Sequence, residues 1–199
     1  MKKDNGVTLI ELIVAIAIIG VLAVALGFSF RGWVGAYKVE SQTKEMYTDL
    51  MNARARAMQK NRDHFVDFPN TTSYSTYEDD SDGTNKVPDG DGTLQTGTGN
   101  GADTQLGGFP KTLEYSVTIG TVVGVPPITF TAANRGLLSP ERSICMFTDF
   151  DGDKKSDYDP DYDCIVISDT RINIGKLRKQ DTDGGICASV SSGGDCASK

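Results

Sequence analysis

The chain has one histidine, one tryptophan and no C-x-x-C pair, and these gaps remove whole classes of chemistry. A zinc centre needs several closely spaced cysteine or histidine ligands, and no spacing here supplies them. There is no G-x-S-x-G elbow and no phosphate-cradling glycine loop, so the sequence offers no machinery for acyl or phosphoryl chemistry. Catalysis is not expected. His64, beside Phe65, reads as structural. Basic charge is also short: 27 acidic residues against 20 lysines and arginines leave a net charge of −7. That balance favours solubility and opposes generic affinity for nucleic acid. Cysteine is missing from the first 140 residues, and all four lie beyond them. An even number of clustered cysteines suggests two disulfides formed in an oxidising compartment.

What the chain does have is concentrated at its N-terminus. Lys2 and Lys3 precede Gly6, and the apolar run Val7 to Phe30 that follows carries one charge, Glu11. At 1.5 Å per residue such a run is about long enough to cross a bilayer's hydrocarbon core as a helix. A lone carboxylate at that depth costs at least about 2.5 kcal/mol, so Glu11 requires a cationic partner. Cleavage after Gly6 would create one, the free α-amino group of Val7, four residues upstream.

The order Gly6-Val7-Thr8-Leu9-Ile10-Glu11 ahead of a long apolar helix resembles the prepilin signature shared by type IV pilins and type II secretion pseudopilins. The resemblance implies cleavage after Gly6 by a membrane-embedded prepilin peptidase and methylation of the new terminus at Val7. It also implies that Glu11 neutralises the N-terminus of a neighbouring subunit during filament assembly. Val7 departs from the family's usual phenylalanine, and an uncleaved signal anchor is the competing reading. Removal of residues 1–6 would leave a net charge of about −8 and, beyond the N-terminal helix, enough chain for one small domain.

The expected organisation is a leader at 1–6, a transmembrane and assembly helix at 7–30, an amphipathic continuation at 31–62 and a β-rich domain at 63–199. Val39, Met46, Leu50, Ala53 and Met58 recur at roughly helical spacing, and Leu50, Ala53, Ala57 and the residues around Met58 would face a sheet. Arg54, Arg56, Lys60 and Arg62 point outward in this reading, near the negative helix C-terminus. A helix to Asn61 would span about 80 Å. Gly27, Gly32 and Gly35 predict a soft joint, since each glycine weakens a helix by about 1 kcal/mol against alanine. Strands are expected at 64–68, 74–77, 113–119, 128–131, 143–147, 164–168 and 171–177. The stretch 78–108 is nearly free of apolar residues and is expected to be a long mobile loop. The fold class is α+β, a long helix packed on one antiparallel sheet, as in type IV pilins.

Within that superfamily the chain is most similar to the GspH/FimT branch of minor pilins and pseudopilins. The carriers are the helix end N-A-R-A-R-A-M-Q-K-N-R running into a strand, the I-T-F-x4-R-G segment at 128–136, a Ser-Ile-Cys strand, an acidic turn and a closing basic strand. The branch implies a minor, tip or initiating, subunit of a type IV pilus or type II secretion pseudopilus. Its partners would be other pilins, the prepilin peptidase and an inner-membrane assembly platform. The precursor would sit single-pass in a bacterial inner membrane, its domain periplasmic, before entering a filament. A major pilin and a DNA-binding minor pilin for DNA uptake are the alternatives. Arg171, Lys176, Arg178 and Lys179 would supply the phosphate contacts of the latter, although Asp181 and Asp183 follow directly.

The acidic turn is the other candidate site. Asp149, Asp151, Asp153 and Asp157 stand at i, i+2, i+4 and i+8, the rhythm by which a short loop wraps oxygen ligands around Ca²⁺. Asp159 completes the expected calcium set, with Asp161 and Asp163 following. Lys154 stands where an EF-hand has its glycine, and the closing glutamate is missing, so a solvated hairpin turn is the alternative. Cys145 and Cys164 flank this turn and could clamp it. Cys187 and Cys196 would then close a C-terminal loop, 187–196, much like the disulfide-bounded loop common in pilins. Four cysteines allow three connectivities, and all three stay open.

Overall fold

A computed structural model describes residues 6–79, 92–97, 102–119, 126–132, 136–139, 142–146, 148, 150, 156–177 and 196–198; the side chains of 25–31, 137–139 and 198 are not described. One helix, α1 (Leu9–Lys60), precedes eleven strands among these residues. They are β1 (His64–Asn70), β2 (Ser73–Glu78), β3 (Thr104–Gln105), β4 (Lys111–Thr112), β5 (Val117–Ile119) and β6 (Ile128–Thr131). Then come β7 (Leu137–Ser139), β8 (Arg142–Met146), β9 (Cys164–Ile167), β10 (Ile172–Leu177) and β11 (Cys196–Ser198). The architecture is α+β with antiparallel pairing throughout.

The 52 residues of α1 run about 78 Å at 1.5 Å per residue. Thr8 caps the start, and Asn61 ends the helix in the left-handed region at φ 52°, a conformation asparagine tolerates better than most residues. Where the glycines predict a soft joint, the helix runs unbroken. Gly35 serves packing instead: a Cβ there would lie 2.1 Å from the ring of Tyr158, so the missing side chain is the notch that receives the tyrosine. From Gly35 onward a buried stripe follows at Val39, Thr43, Met46, Leu50, Ala53 and Ala57, at steps of three and four residues. Thr43 satisfies its buried hydroxyl by donating to the Val39 carbonyl at 2.8 Å. Ala57 faces inward as expected, whereas its neighbour Met58, also expected in the stripe, is 49% exposed.

The domain has two sheets where the pattern predicts one. The first runs β3-β2-β1-β6-β7, with β4 also pairing with β2, and the second runs β11-β10-β9-β8-β5. The helix packs against β1 and β6 of one and β9 and β10 of the other. Val66, Tyr74, Ile128 and Phe130 from the first sheet meet Ile144, Ile165 and Ile167 from the second in a single apolar core with the helix stripe. Burial of each such side chain contributes about 1.5–3 kcal/mol. Gly136, at φ 72°, turns the chain beside the helix, with Arg54 and Met58 each 3.1 Å from the position of an added Cβ.

The crossing between the sheets explains a failed strand. Leu113 to Ile119 alternates like one strand, yet only Val117–Ile119 is β5. The Leu113 and Val117 amides donate to the carbonyls of Thr72 and Thr71. Between them the helix takes over. Gln42 Oε1 accepts from the amides of Glu114 and Tyr115 at 2.8 and 3.0 Å, and Gln42 Nε2 donates to the Tyr115 carbonyl at 2.8 Å. Buried backbone groups need partners, and a side chain can supply them as well as a strand can.

The expected mobile loop 78–108 is corrected at both ends. Glu78 closes β2, and Thr104 and Gln105 form an edge strand opposite Glu78 and Tyr77. Edge pairing uses backbone groups, so a polar segment can dock without apolar side chains. Asp103 is buried and accepts from the Gln95 amide at 2.7 Å. Residues 80–91 and 98–101 lie outside the described residues.

Candidate functional site

The start of α1 is bare among the described residues. Every described side chain from Val7 to Val24 is exposed, including Leu9, Ile10, Leu12, Ile13 and Ile19. Among the described residues no helix is long and apolar enough to cross a membrane. The described part of the apolar face, Leu9 to Val24, extends about 24 Å, short of a hydrocarbon core of about 30 Å. In sequence the apolar run continues to Phe30, through the positions whose side chains are not described.

Gly6 and Val7, the expected processing residues, are exposed ahead of the helix. Glu11, the expected assembly residue, has a local task that sequence reasoning missed. Its carboxylate accepts from the Thr8 amide at 3.0 Å and the Thr8 hydroxyl at 2.9 Å, while Thr8 Oγ1 accepts from the Glu11 amide at 3.4 Å. This reciprocal capping box satisfies two of the donors a helix start leaves open. The signal was present as T-x-x-E ahead of an apolar run. The cap also orients the carboxylate at the helix tip, beside Val7.

Around Gly35 the surface becomes aromatic. Trp33 and Tyr37 are 68% and 64% exposed, with ring centroids 6.3 Å apart. Tyr158, seated over Gly35, meets Tyr115 and the 70%-exposed Phe150 edge-on at 6.0 Å each. Nearby, Tyr37, Lys38, Gln42, Glu45, Lys111 and Glu114 line a groove of about 280 Å³. Its lysines are matched: Lys38 pairs with Glu114 at 2.6 Å, and Lys111 with Glu45 and Asp49 at 2.7 and 2.6 Å. Burial opposes the Lys111 charge, but hydrogen bonds to Asp49 and Glu45 outweigh it and hold the ammonium above its usual range. Tyr74 donates its hydroxyl to Asp49 at 2.6 Å. Burial and that carboxylate push the phenol far above its usual range, so it stays a donor.

The disulfides differ from the expected clamp and C-terminal loop. Cys145 and Cys164 are directly opposed on β8 and β9, yet Cys164 bonds to Cys196, with Cα atoms 6.0 Å apart. Cys145 is bonded as well, and Cys187, the remaining cysteine in the sequence, lies outside the described residues. The reason for the Cys164–Cys196 pairing is Gly175 on β10. A Cβ there would sit 2.3 Å from the Ala197 carbonyl oxygen and 3.0 Å from Cys196 Sγ. The bare backbone lets β11 lie close enough for its cysteine to reach across β10 to β9. Asp163 supports the same corner: it is buried, and its carboxylate accepts from the Leu177 amide at 2.6 Å.

Of the expected calcium ligands, Asp149, Asp151 and Asp153 lie outside the described residues. Asp157 accepts from the Phe150 amide at 2.6 Å, and Asp159 is ion-paired with Lys176. No three acidic, cysteine or histidine side chains among the described residues form a metal-holding group. Of the expected phosphate contacts, Arg171 is exposed, Lys176 is engaged by Asp159, and Arg178 and Lys179 lie outside the described residues. At the far end of the helix, Lys60 and Arg62 pair with the buried Glu78. His64 is fully buried; its Nδ1 bonds the Arg62 carbonyl at 3.1 Å. Burial pushes its pKa down, so the ring is neutral near pH 7.

Residues 1–27 match the family model of the prokaryotic N-terminal methylation motif, a leader of the type IV pilin type. The match covers the charged leader, Gly6, Val7, Glu11 and most of the apolar run. No curated protein and no solved structure matches the chain.

Proposed function

We propose that the chain is a non-catalytic subunit of a type IV pilus or type II secretion pseudopilus, of the minor kind found in the GspH/FimT branch. The observation that carries this reading is the methylation motif at 1–27, set on a helix whose apolar side chains from Val7 to Val24 are exposed among the described residues. A helix that is apolar all round belongs in a membrane or a helical bundle. The precursor is stored across the inner membrane by the run 7–30, with Lys2 and Lys3 on the cytoplasmic side as the positive-inside rule requires. Prepilin peptidase cuts after Gly6 and methylates Val7. The subunit then joins other pilins through the same apolar surface, and the Glu11 carboxylate meets the N-terminus of a neighbour. In the bilayer that pairing removes the cost of an unpartnered charge.

Mass spectrometry of sheared filaments from the native host tests the proposal. A trace of chain beginning at methylated Val7 among a more abundant pilin is the expected result. A dominant species of that mass would make the chain the major subunit. Finding only uncut chain beginning at Met1, in membranes, would overturn the filament reading. Gly6→Phe should leave every copy uncut.

A further inference from the structure

We propose that Trp33, Tyr37 and Phe150 form an aromatic collar that seats the domain in the headgroup layer of the membrane while the subunit is stored. The inference rests on the membrane storage proposed above and adds where the domain stands and what holds it there. Its occupant is the lipid headgroup layer itself.

Four observations converge. Trp33 and Tyr37 follow the apolar run directly; Trp33 is half a helical turn away from the buried Gly35 and Tyr37 stands at the mouth of the groove toward Glu114, and both are more than 60% exposed. Both are large apolar bodies with a polar tip, the residue types that collect where hydrocarbon meets water. Their height is right. From Thr8 to Trp33 the helix rises about 38 Å, and a bilayer with its headgroups is about 40–45 Å thick. A helix that starts at one interface therefore delivers Trp33 to the other. Finally, the domain begins at the same height: Tyr158 sits on Gly35, and Phe150 beside it is 70% exposed on the domain's side of the helix. Aromatic side chains thus flank the helix on both sides at one level.

The chain has one tryptophan, so its intrinsic fluorescence reports Trp33 alone. The full chain is reconstituted into zwitterionic phosphatidylcholine vesicles, and flotation checks its insertion. Lipids brominated near the headgroup end of the acyl chain are then compared with lipids brominated near the chain terminus. The expected result is greater loss of emission with the shallow bromines. If the chain floats but Trp33 is quenched by acrylamide from the water and not by bromolipid, the collar is refuted while membrane storage stands. Stronger quenching by deep bromines refutes it too, by placing Trp33 in the hydrocarbon. Protection from both quenchers means that a second copy covers the patch instead, and also refutes the proposal. Failure to float overturns the storage reading itself. In Trp33→Phe/Phe150→Trp, the relocated tryptophan should show the same shallow preference; quenching from water alone would remove Phe150 from the collar.

Discussion

The two ends of one helix live by different rules. From Val7 to Val24 every described side chain is exposed, whereas from Gly35 to Ala57 every third or fourth is buried against two sheets. The composition announces the difference: apolar on all sides at the start, amphipathic after Trp33. An amphipathic stripe asks for a partner on one side, and the domain supplies it. An all-round apolar surface asks for partners on every side, which no single small domain can give. The bare end is therefore built for association and the covered end for folding. Helical backbone is common to both; what stabilises each is not.

The largest expected contrast is in side-chain truncation. Leu50 is fully buried, so Leu50→Ala should cost about 2–5 kcal/mol in urea unfolding of the detergent-solubilised chain. Leu12, 59% exposed, should change the same transition by no more than about 0.5 kcal/mol as Leu12→Ala. Equal losses would erase the distinction between the ends. Next comes the Cys164–Cys196 bridge, which spans 32 residues. Loop-closure entropy gives it about 3–4 kcal/mol, so Cys164→Ser with Cys196→Ser should weaken the domain by up to that amount and leave vesicle flotation unchanged. Non-reducing peptide mapping should recover Cys164 joined to Cys196, and a Cys187–Cys196 peptide would contradict the structure.

A smaller effect distinguishes two glycines three residues apart. Gly32 has nothing within 4 Å of an added Cβ, so Gly32→Ala should stabilise the helix by about 1 kcal/mol. Gly35→Ala gains the same propensity but drives a methyl into the Tyr158 ring, an overpacking cost of about 1–3 kcal/mol. Its net effect should be destabilising. If both variants raise the unfolding midpoint, the covered end begins later than Gly35. The mildest prediction concerns pH at the far end. Burial holds His64 below its usual value, so the unfolded chain binds a proton that the folded chain refuses. Stability contributed by the neutral ring is complete above about pH 6.5 and lost as pH falls through the window below it, at no more than about 1.4 kcal/mol per pH unit. His64→Asn should flatten that slope in urea midpoints measured against pH.

Much of this was legible before any coordinates. The helix end near Asn61, the strand at Ile128–Thr131 and most of β1, β2 and β8 to β10 follow from apolar periodicity, which tertiary structure here respects. The short strands β3, β4 and β11 were not legible. Thr, Gln, Lys and Ser side chains carry no apolar signal, and their pairing depends on which backbone edge happens to lie near. The division into two sheets is not legible, because the break at 114–115 is held by Gln42, a contact between residues more than seventy apart. The Cys164–Cys196 pairing hangs on the absent side chain of Gly175, and a glycine in sequence does not say what approaches it. At the N-terminus the reverse holds. Thr8 and Glu11 stand in a readable capping box, T-x-x-E ahead of an apolar run, and the same glutamate is also the assembly residue that the leader pattern implies.

Gln42 also gives the molecule a mechanical character. Its amide holds the Glu114 and Tyr115 N–H groups and the Tyr115 carbonyl, and its nitrogen lies 3.3 Å from the Met146 sulfur of the second sheet. One turn up and one turn down the helix, Lys38 grips Glu114 and Glu45 grips Lys111, which leads from the first sheet. A pull along the helix axis therefore loads these links side by side, in shear, and reaches both sheets at once. Tension in the helix is divided among contacts to both sheets.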